Sequence, residues 1–173
     1  MNSRVPFFFL AWLLALPALG AQNFSLCSKT EINYSSCRIG KKIASFCLSG
    51  DVNKNGGYLQ YRFGTKEKIE LSYPERTNQR ASFFESSDFG FTDGDVRYIA
   101  FVIGTHRYIH YQTHIKSTAK TEGRLEHGLA IVKNGVTIKD MSCSSVSDGL
   151  SEPKSKLLNY PEGMFIEEKF VPW

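Results

Sequence analysis

The chain has 173 residues, of which 42% are hydrophobic and 22% are charged, and its formal net charge at pH 7 is +4. This length suits one domain with a hydrophobic core. The basic residues are spread along the chain and form no run. Because nucleic-acid-binding proteins concentrate positive charge in patches, this distribution argues against nucleic acid as a partner.

Residues 1–20 have the pattern of a secretory signal peptide. Arg4 supplies a positive start, residues 6–16 form an apolar stretch, and residues 18–20 fit a cleavage site. The apolar stretch is too short to cross a bilayer, and no later segment approaches the roughly 18 apolar residues that a membrane helix needs. We therefore expect a periplasmic or secreted protein without membrane insertion.

Four cysteines follow this segment, and an even number in an exported protein is typical of two disulfide bonds. If Gly40 and Lys41 form a two-residue turn, two of these cysteines face opposite sides of a hairpin and cannot bond to each other. We favour the pairing of the first with the second and of the third with the fourth. No C-x-x-C spacing is present, so disulfides are preferred to a metal site. In chain order the cysteines are Cys27, Cys37, Cys47 and Cys143.

The most regular stretch, residues 95–115, predicts two β-strands joined by a turn at Gly104 and Thr105. Glycine at the first turn position favours type II′ and places Phe101 opposite Tyr108. Both faces of this hairpin carry apolar residues, so we expect it in the middle of a sheet. The face expected to form the core carries Tyr98, Ala100, Val102, Ile109 and Tyr111.

Three more strand pairs are predicted from β-branched and aromatic residues. In the second of them, Phe63 is expected opposite Ile69, and Tyr61 opposite Leu71. In the third, an Asn-Gly turn predicts a face shared by Leu129, Ile131, Val136 and Ile138. The pairs are residues 32–39 with 42–48, 58–63 with 69–73, and 128–133 with 136–141.

These strands predict one all-β domain over residues 21–143. We expect an antiparallel β-sandwich or partly closed barrel of about 8 to 10 strands, held by disulfides. Residues 144–173 form a C-terminal extension that begins with polar residues and ends with apolar ones. For its apolar end, packing on the domain is favoured over binding to another molecule.

Three histidines on one predicted strand are the clearest candidates for chemistry. His106, His110 and His114 lie on one face of a strand, at steps of roughly 13 Å. Neighbours at that distance cannot share a metal ion, whose bonds to nitrogen are about 2 Å long. The chain also lacks the sequence motifs of serine hydrolases, zinc proteases and nucleotide-binding enzymes. We therefore favour a protein that is not an enzyme and has no cofactor.

The cysteines and aromatic strands resemble those of a known group of proteins. The pattern LC…C…SFC…GGYLQYRFG…YP, followed by strands and a late cysteine, resembles a group of small exported four-cysteine bacterial β-proteins without an established function. The resemblance covers about Leu26 to Cys143 and is most specific at Cys47 and residues 57–64. It implies an exported all-β fold. In size, export and disulfides the chain is also loosely similar to bacterial lysozyme inhibitors and periplasmic immunity proteins, small β-barrels or sandwiches that insert a loop into an enzyme's cleft.

The leading hypothesis is a non-enzymatic exported binding protein, such as a periplasmic inhibitor or immunity protein against a toxin or cell-wall hydrolase. Its partner would be another envelope or secreted protein. Long polar loops at residues 50–57 and 75–80 could enter a cleft, on a rigid base of aromatic strands. The candidate binding residues are His106, Tyr108, His110, Asn53, Lys54 and Asn55.

Two other hypotheses remain open. The first is a small-ligand or envelope-glycan binding module that uses exposed aromatic residues and histidines. The second is an enzyme that uses His106, His110 or His114. Alanine substitution of these histidines would abolish activity in an enzyme, and would leave binding nearly intact in an inhibitor whose interface lies elsewhere.

Two disulfides should each stabilise the fold by about 2 to 4 kcal/mol. We therefore expect the oxidised protein to melt at a clearly higher temperature than the same protein treated with a reductant. Circular dichroism melting curves of the two samples measure this difference. Identical melting temperatures would mean that the four cysteines are not bonded in pairs.

Overall fold

The computed structural model describes residues 24–52, 56–77, 84–119, 122–147 and 165–167, so the predicted signal peptide lies outside the described residues. All regular elements in these ranges are β-strands. They are β1 Glu31–Ile39, β2 Lys42–Ser49, β3 Leu59–Gly64, β4 Ile69–Tyr73, β5 Phe84–Phe91, β6 Gly94–Ile103, β7 His106–Ile115, β8 Arg124–Lys133, β9 Val136–Ser142, β10 Ser145–Ser147 and β11 Phe165–Glu167.

The strands form two sheets packed face to face. The five-stranded sheet has the order β10-β1-β2-β3-β4, and the six-stranded sheet has the order β11-β5-β6-β7-β8-β9. All neighbours are antiparallel except β11, which runs parallel to β5. The predicted antiparallel all-β sandwich with disulfides is confirmed, and the sheets are not closed into a barrel. The short strands β10 and β11 come from the predicted C-terminal extension, and each pairs with one sheet.

The predicted hairpin at residues 95–115 forms the centre of the six-stranded sheet as β6 and β7. Its register is confirmed, with Phe101 opposite Tyr108, and Gly104 has a positive φ of 60°. Both faces are buried, as expected for central strands. The main core between the sheets, however, lies on the face that carries the histidines, while the face of Tyr98 forms a separate buried cluster with β8.

Aromatic rings from both sheets meet around Phe101 in the main core. Its ring centroid lies 4.8 Å from Tyr61 and 4.6 Å from Tyr73 of the five-stranded sheet. Within its own sheet it lies 5.1 Å from Tyr108 and 5.8 Å from Phe84. Offset and edge-on ring pairs at these distances stabilise a core beyond the effect of buried area.

The predicted register of the β3–β4 hairpin is wrong by two residues. Phe63 lies opposite Leu71, where Ile69 was expected. The turn between the strands is closed by a hydrogen bond from Thr65 N to the Lys68 carbonyl oxygen, and a bulge precedes it. Since side chains alternate with a period of two, this shift leaves Leu71 and Tyr73 on their predicted face. The bulge places Ile69 opposite Gly64 instead, and Ile69 is exposed.

The predicted apolar face of the β8–β9 hairpin is also wrong in part. The Asn134–Gly135 turn forms with positive φ at both positions, as expected. A bulge next to Ile131 then places Lys139 opposite it, so the alternation along β9 changes phase. Ile138 is the additional residue at this bulge, whereas Val136 keeps its expected place opposite Lys133 next to the turn. Both side chains are exposed and do not extend the core.

The disulfide bonds join Cys27 to Cys47 and Cys37 to Cys143, so the pairing that we favoured is wrong. Cys37 and Cys47 do face opposite sides of the β1–β2 hairpin. Cys47 points to the outer face, where the N-terminal segment that contains Cys27 lies. Cys37 points into the core, and the pairing of β10 with β1 brings Cys143 beside it.

The chain changes sheet directly after β9. Cys143 N donates to the carbonyl oxygen of His127 in the six-stranded sheet, and Ser144 N donates to that of Arg38 in the five-stranded sheet, both at 2.8 Å. Together with the Cys37–Cys143 disulfide, these bonds close one edge of the sandwich.

An ion pair fastens the N-terminal segment to the outer face. Arg62 makes two hydrogen bonds of 2.7 Å to the Glu31 carboxylate and a third, of 3.0 Å, to the Leu26 carbonyl oxygen. Tyr58 OH and Ser28 N also donate to this carboxylate. Burial raises the pKa of Glu31, but the hydrogen bonds and the Arg62 charge outweigh it and lower the pKa to about 2.

We expect Arg62→Met to lower the free energy of unfolding by about 3 kcal/mol at pH 7, because Glu31 would remain buried without its partner. The matched control Lys42→Met removes an exposed ion pair with Glu70 and should cost less than about 1 kcal/mol. Urea unfolding measures both values.

The same experiment at lower pH gives a second check. The pKa of Glu31 in the folded protein, about 2, lies below its ordinary value of 4.5. The stabilisation is therefore complete above pH 4.5 and is lost as the pH falls towards 2. The difference between wild type and Arg62→Met should shrink over that range. Equal costs for the two substitutions at pH 7 would contradict this account.

Candidate functional site

Contacts between the sheets determine which of their ends lie together. Ser35 of β1 contacts His110 of β7. Cys37 lies two residues closer than Ser35 to the β1–β2 turn. Its disulfide partner Cys143 lies further than His110 from the β6–β7 and β8–β9 turns. The β1–β2 turn therefore lies at the end of the sandwich opposite those two turns. The strands of the two sheets are therefore roughly aligned, the common arrangement in sandwiches.

This alignment brings four connections to one end of the sandwich. They are the β2–β3 loop at residues 50–57, the β4–β5 connection that leaves β4 at Pro74, the β6–β7 turn at residues 104–105 and the β8–β9 turn at residues 134–135. We call this end the loop end. The tips of the β1–β2 and β3–β4 hairpins lie at the opposite end.

Exposed apolar side chains occur at the loop end. Val136 begins β9, Val102 lies two residues before the β6–β7 turn, and Ile32 pairs with Leu48 just before the β2–β3 loop. Sequence reasoning missed these residues because it expected them in apolar strand faces. The bulge that follows Ile32 changes the alternation along β1, and alternation alone does not reveal a bulge. Val136 keeps its expected pairing with Lys133, and alternation does not show that this pair lies exposed at the end of the hairpin.

The structure places two of the predicted binding residues at the loop end. His106 begins β7 and is half-buried, with Nδ1 3.5 Å from the Thr105 hydroxyl. Tyr108 is also half-buried, and its ring stacks on Phe101 with an interplanar angle of 4°. The predicted loop residues Asn53, Lys54 and Asn55 lie outside the described residues.

The other two histidines of β7 lie away from this end. His114 is exposed at the opposite end, where Nδ1 lies 3.1 Å from an Asp95 carboxylate oxygen. His110 is fully buried in the core between the sheets. The three histidines share one strand face but not one site.

His110 is held as a neutral imidazole in the core. Its Nε2 lies 3.2 Å from the Ser35 hydroxyl, and the Phe46 ring packs edge-on at 5.3 Å. Burial, with a smaller effect from the charge of His127, lowers its pKa from 6.5 to about 4. Its Nδ1 has no hydrogen-bond partner among the described residues.

The described ranges do not bring together three His, Cys, Asp or Glu side chains that could hold a metal ion. The same part of the chain contains no helix long and apolar enough to cross a membrane. No family model, curated protein or solved structure matches this chain.

His106 and Tyr108 should differ sharply when each is replaced by alanine. His106→Ala removes a half-buried ring at a turn and should change the free energy of unfolding by less than about 0.5 kcal/mol. Tyr108→Ala removes a ring stacked on Phe101 and should cost about 2 to 3 kcal/mol. Chemical denaturation measures both. A large cost for His106→Ala would mean that this residue is needed for the fold and is a poor candidate for binding.

Proposed function

We propose that this protein is a non-enzymatic binding protein that contacts a protein partner through its loop end. The observation that carries this proposal is that three exposed apolar side chains, Ile32, Val102 and Val136, lie at an end that is built from connections of both sheets. Exposed apolar residues beside turns and loops are typical of interaction surfaces.

The two disulfide-bonded sheets behind the loop end support the proposal. One disulfide ties the N-terminal segment to β2, and the other ties the two sheets together. Because the two sheets are held rigidly in this way, few residues become ordered on binding, which reduces the entropic cost of association. Two disulfides are also consistent with an oxidising compartment.

The proposed location is the periplasm or the medium, and the proposed partner is another envelope or secreted protein. An inhibitor or immunity protein against a toxin or cell-wall hydrolase fits this setting. A projecting end with loops from two sheets can enter the cleft of such an enzyme, and the apolar side chains would supply the buried contacts.

The loop end can be tested with two substitutions of matched chemistry. Val136 is 63% exposed at the loop end, and Leu125 is 56% exposed at the opposite end of the same sheet. Val136→Asp and Leu125→Asp both place a charge at an exposed apolar position. We expect wild type and Leu125→Asp to capture the same protein from envelope and secreted extracts at a one-to-one ratio, and Val136→Asp to lose at least tenfold in affinity for it.

Each possible result bears on the proposal. Equal capture by both variants would place the interface away from Val136. Loss with Leu125→Asp alone would place it at the opposite end. Capture of no protein by the wild type would refute a protein partner and favour the glycan-binding alternative, with the exposed Phe89 and Phe91 as the aromatic residues to test.

A further inference from the structure

We propose that His110 makes the contact between the two sheets sensitive to acid, so that its protonation separates the sheets about the edge closed by the Cys37–Cys143 disulfide. This is a property of the packing between the two sheets. Its consequence for the loop end rests on the proposed function, whereas the separation of the sheets does not.

The described surroundings of His110 offer a charged imidazole no counter-charge and no partner for Nδ1. The ring lies between the two sheets and is fully buried. Ser35 of the facing sheet supplies one neutral hydroxyl, and Phe46 of the same sheet supplies a ring edge. An imidazolium at this position would need a partner for Nδ1 or a counter-charge, and separation of the two sheets would admit water to solvate it.

The charged groups on neighbouring strands do not neutralise such a cation. His127 of β8 faces the same core and has a pKa lowered by burial, so it adds a like charge if it is protonated. Arg97 of β6 lies two residues along the same face from Ile99, the residue opposite His110. Arg97 forms an ion pair with Asp88 of β5, so the Asp88 carboxylate is already paired. From the five-stranded sheet, β1 presents Ser35 and the disulfide-bonded Cys37, and β2 presents Phe46.

The two edges of the sandwich differ in how they resist separation. At the β9–β10 edge the Cys37–Cys143 disulfide and the hydrogen bonds of residues 143 and 144 join both sheets. At the opposite edge, Tyr73 of β4 packs against Phe84 and Phe101 through ring contacts. The four cysteines form the two disulfides described above, so no disulfide joins the sheets at this opposite edge. The disulfide edge is therefore the hinge, and the β4–β5 edge opens.

Separation of the sheets would also take the loop end apart. The 50–57 loop belongs to the five-stranded sheet, and the turns at residues 104–105 and 134–135 belong to the six-stranded sheet. A partner that contacts both sheets would lose affinity as His110 becomes protonated.

Stability as a function of pH tests the proposal on the oxidised full chain. The pKa of His110 in the folded protein lies below its ordinary value, so the stabilisation is complete above pH 6.5 and falls as the pH decreases towards 4. We expect the equilibrium constant for unfolding to rise about 50-fold between pH 7 and pH 4.5. This range lies above the window in which Glu31 is protonated.

Two variants separate His110 from the other histidines. His110→Gln keeps a donor for Ser35 and cannot be charged, so its unfolding constant should change at least tenfold less than that of the wild type over this pH range. The control His114→Gln alters an exposed histidine and should behave like the wild type. An unchanged pH dependence in His110→Gln, or a loss of pH dependence in His114→Gln, would overturn the proposal.

Two measurements need no substitution in the core. NMR titration of the wild-type imidazoles should give a pKa for His110 below 5, and a value of 6 or more would overturn the proposal. Hydrogen exchange at pH 4.5, corrected for intrinsic rates, should show β4 and β5 losing protection before β1 and β10. Equal loss in all strands would refute the hinge. None of these measurements uses a partner, so they stand even if the proposed function fails.

Discussion

The packing of aromatic rings around Phe101 is the contact on which the sandwich depends. Two of these rings come from each sheet. This packing requires the Phe101 face of β6 and β7 to be buried. Because side chains alternate along a strand, His110 must then be buried with it, while His106 remains at the end of the same strand. The position of each histidine is a consequence of the core.

Local signals in the sequence were sufficient for much of the fold. Gly104 and the Asn134–Gly135 turn each permit positive φ, and both hairpins formed there. The opposite faces of Cys37 and Cys47 also followed from local alternation. The pairing of the cysteines did not, because it depends on where the N-terminal segment and β10 lie, and such contacts join residues as far apart as 106 positions.

The candidate site was less predictable than the fold. His106 could be chosen from its residue type and its place beside a turn. Val136 could not, because the alternation that predicts its face does not show that both it and its partner Lys133 lie exposed at the end of the hairpin. His110 was chosen as a candidate binding residue because both faces of its hairpin carry apolar residues, and the sequence does not say which of them meets the other sheet.

The order of the cysteines has a consequence for how the chain matures. The bonds join the first cysteine to the third and the second to the fourth. If the chain is exported from its N-terminus, as proposed, Cys27 and Cys37 meet an oxidant first, long before Cys143 arrives. Bonds formed in order of arrival must then be exchanged, through attack of a free thiolate on one sulfur of such a bond, which releases the other sulfur as a thiolate. Maturation in the cell would therefore depend on a disulfide isomerase as well as on an oxidase.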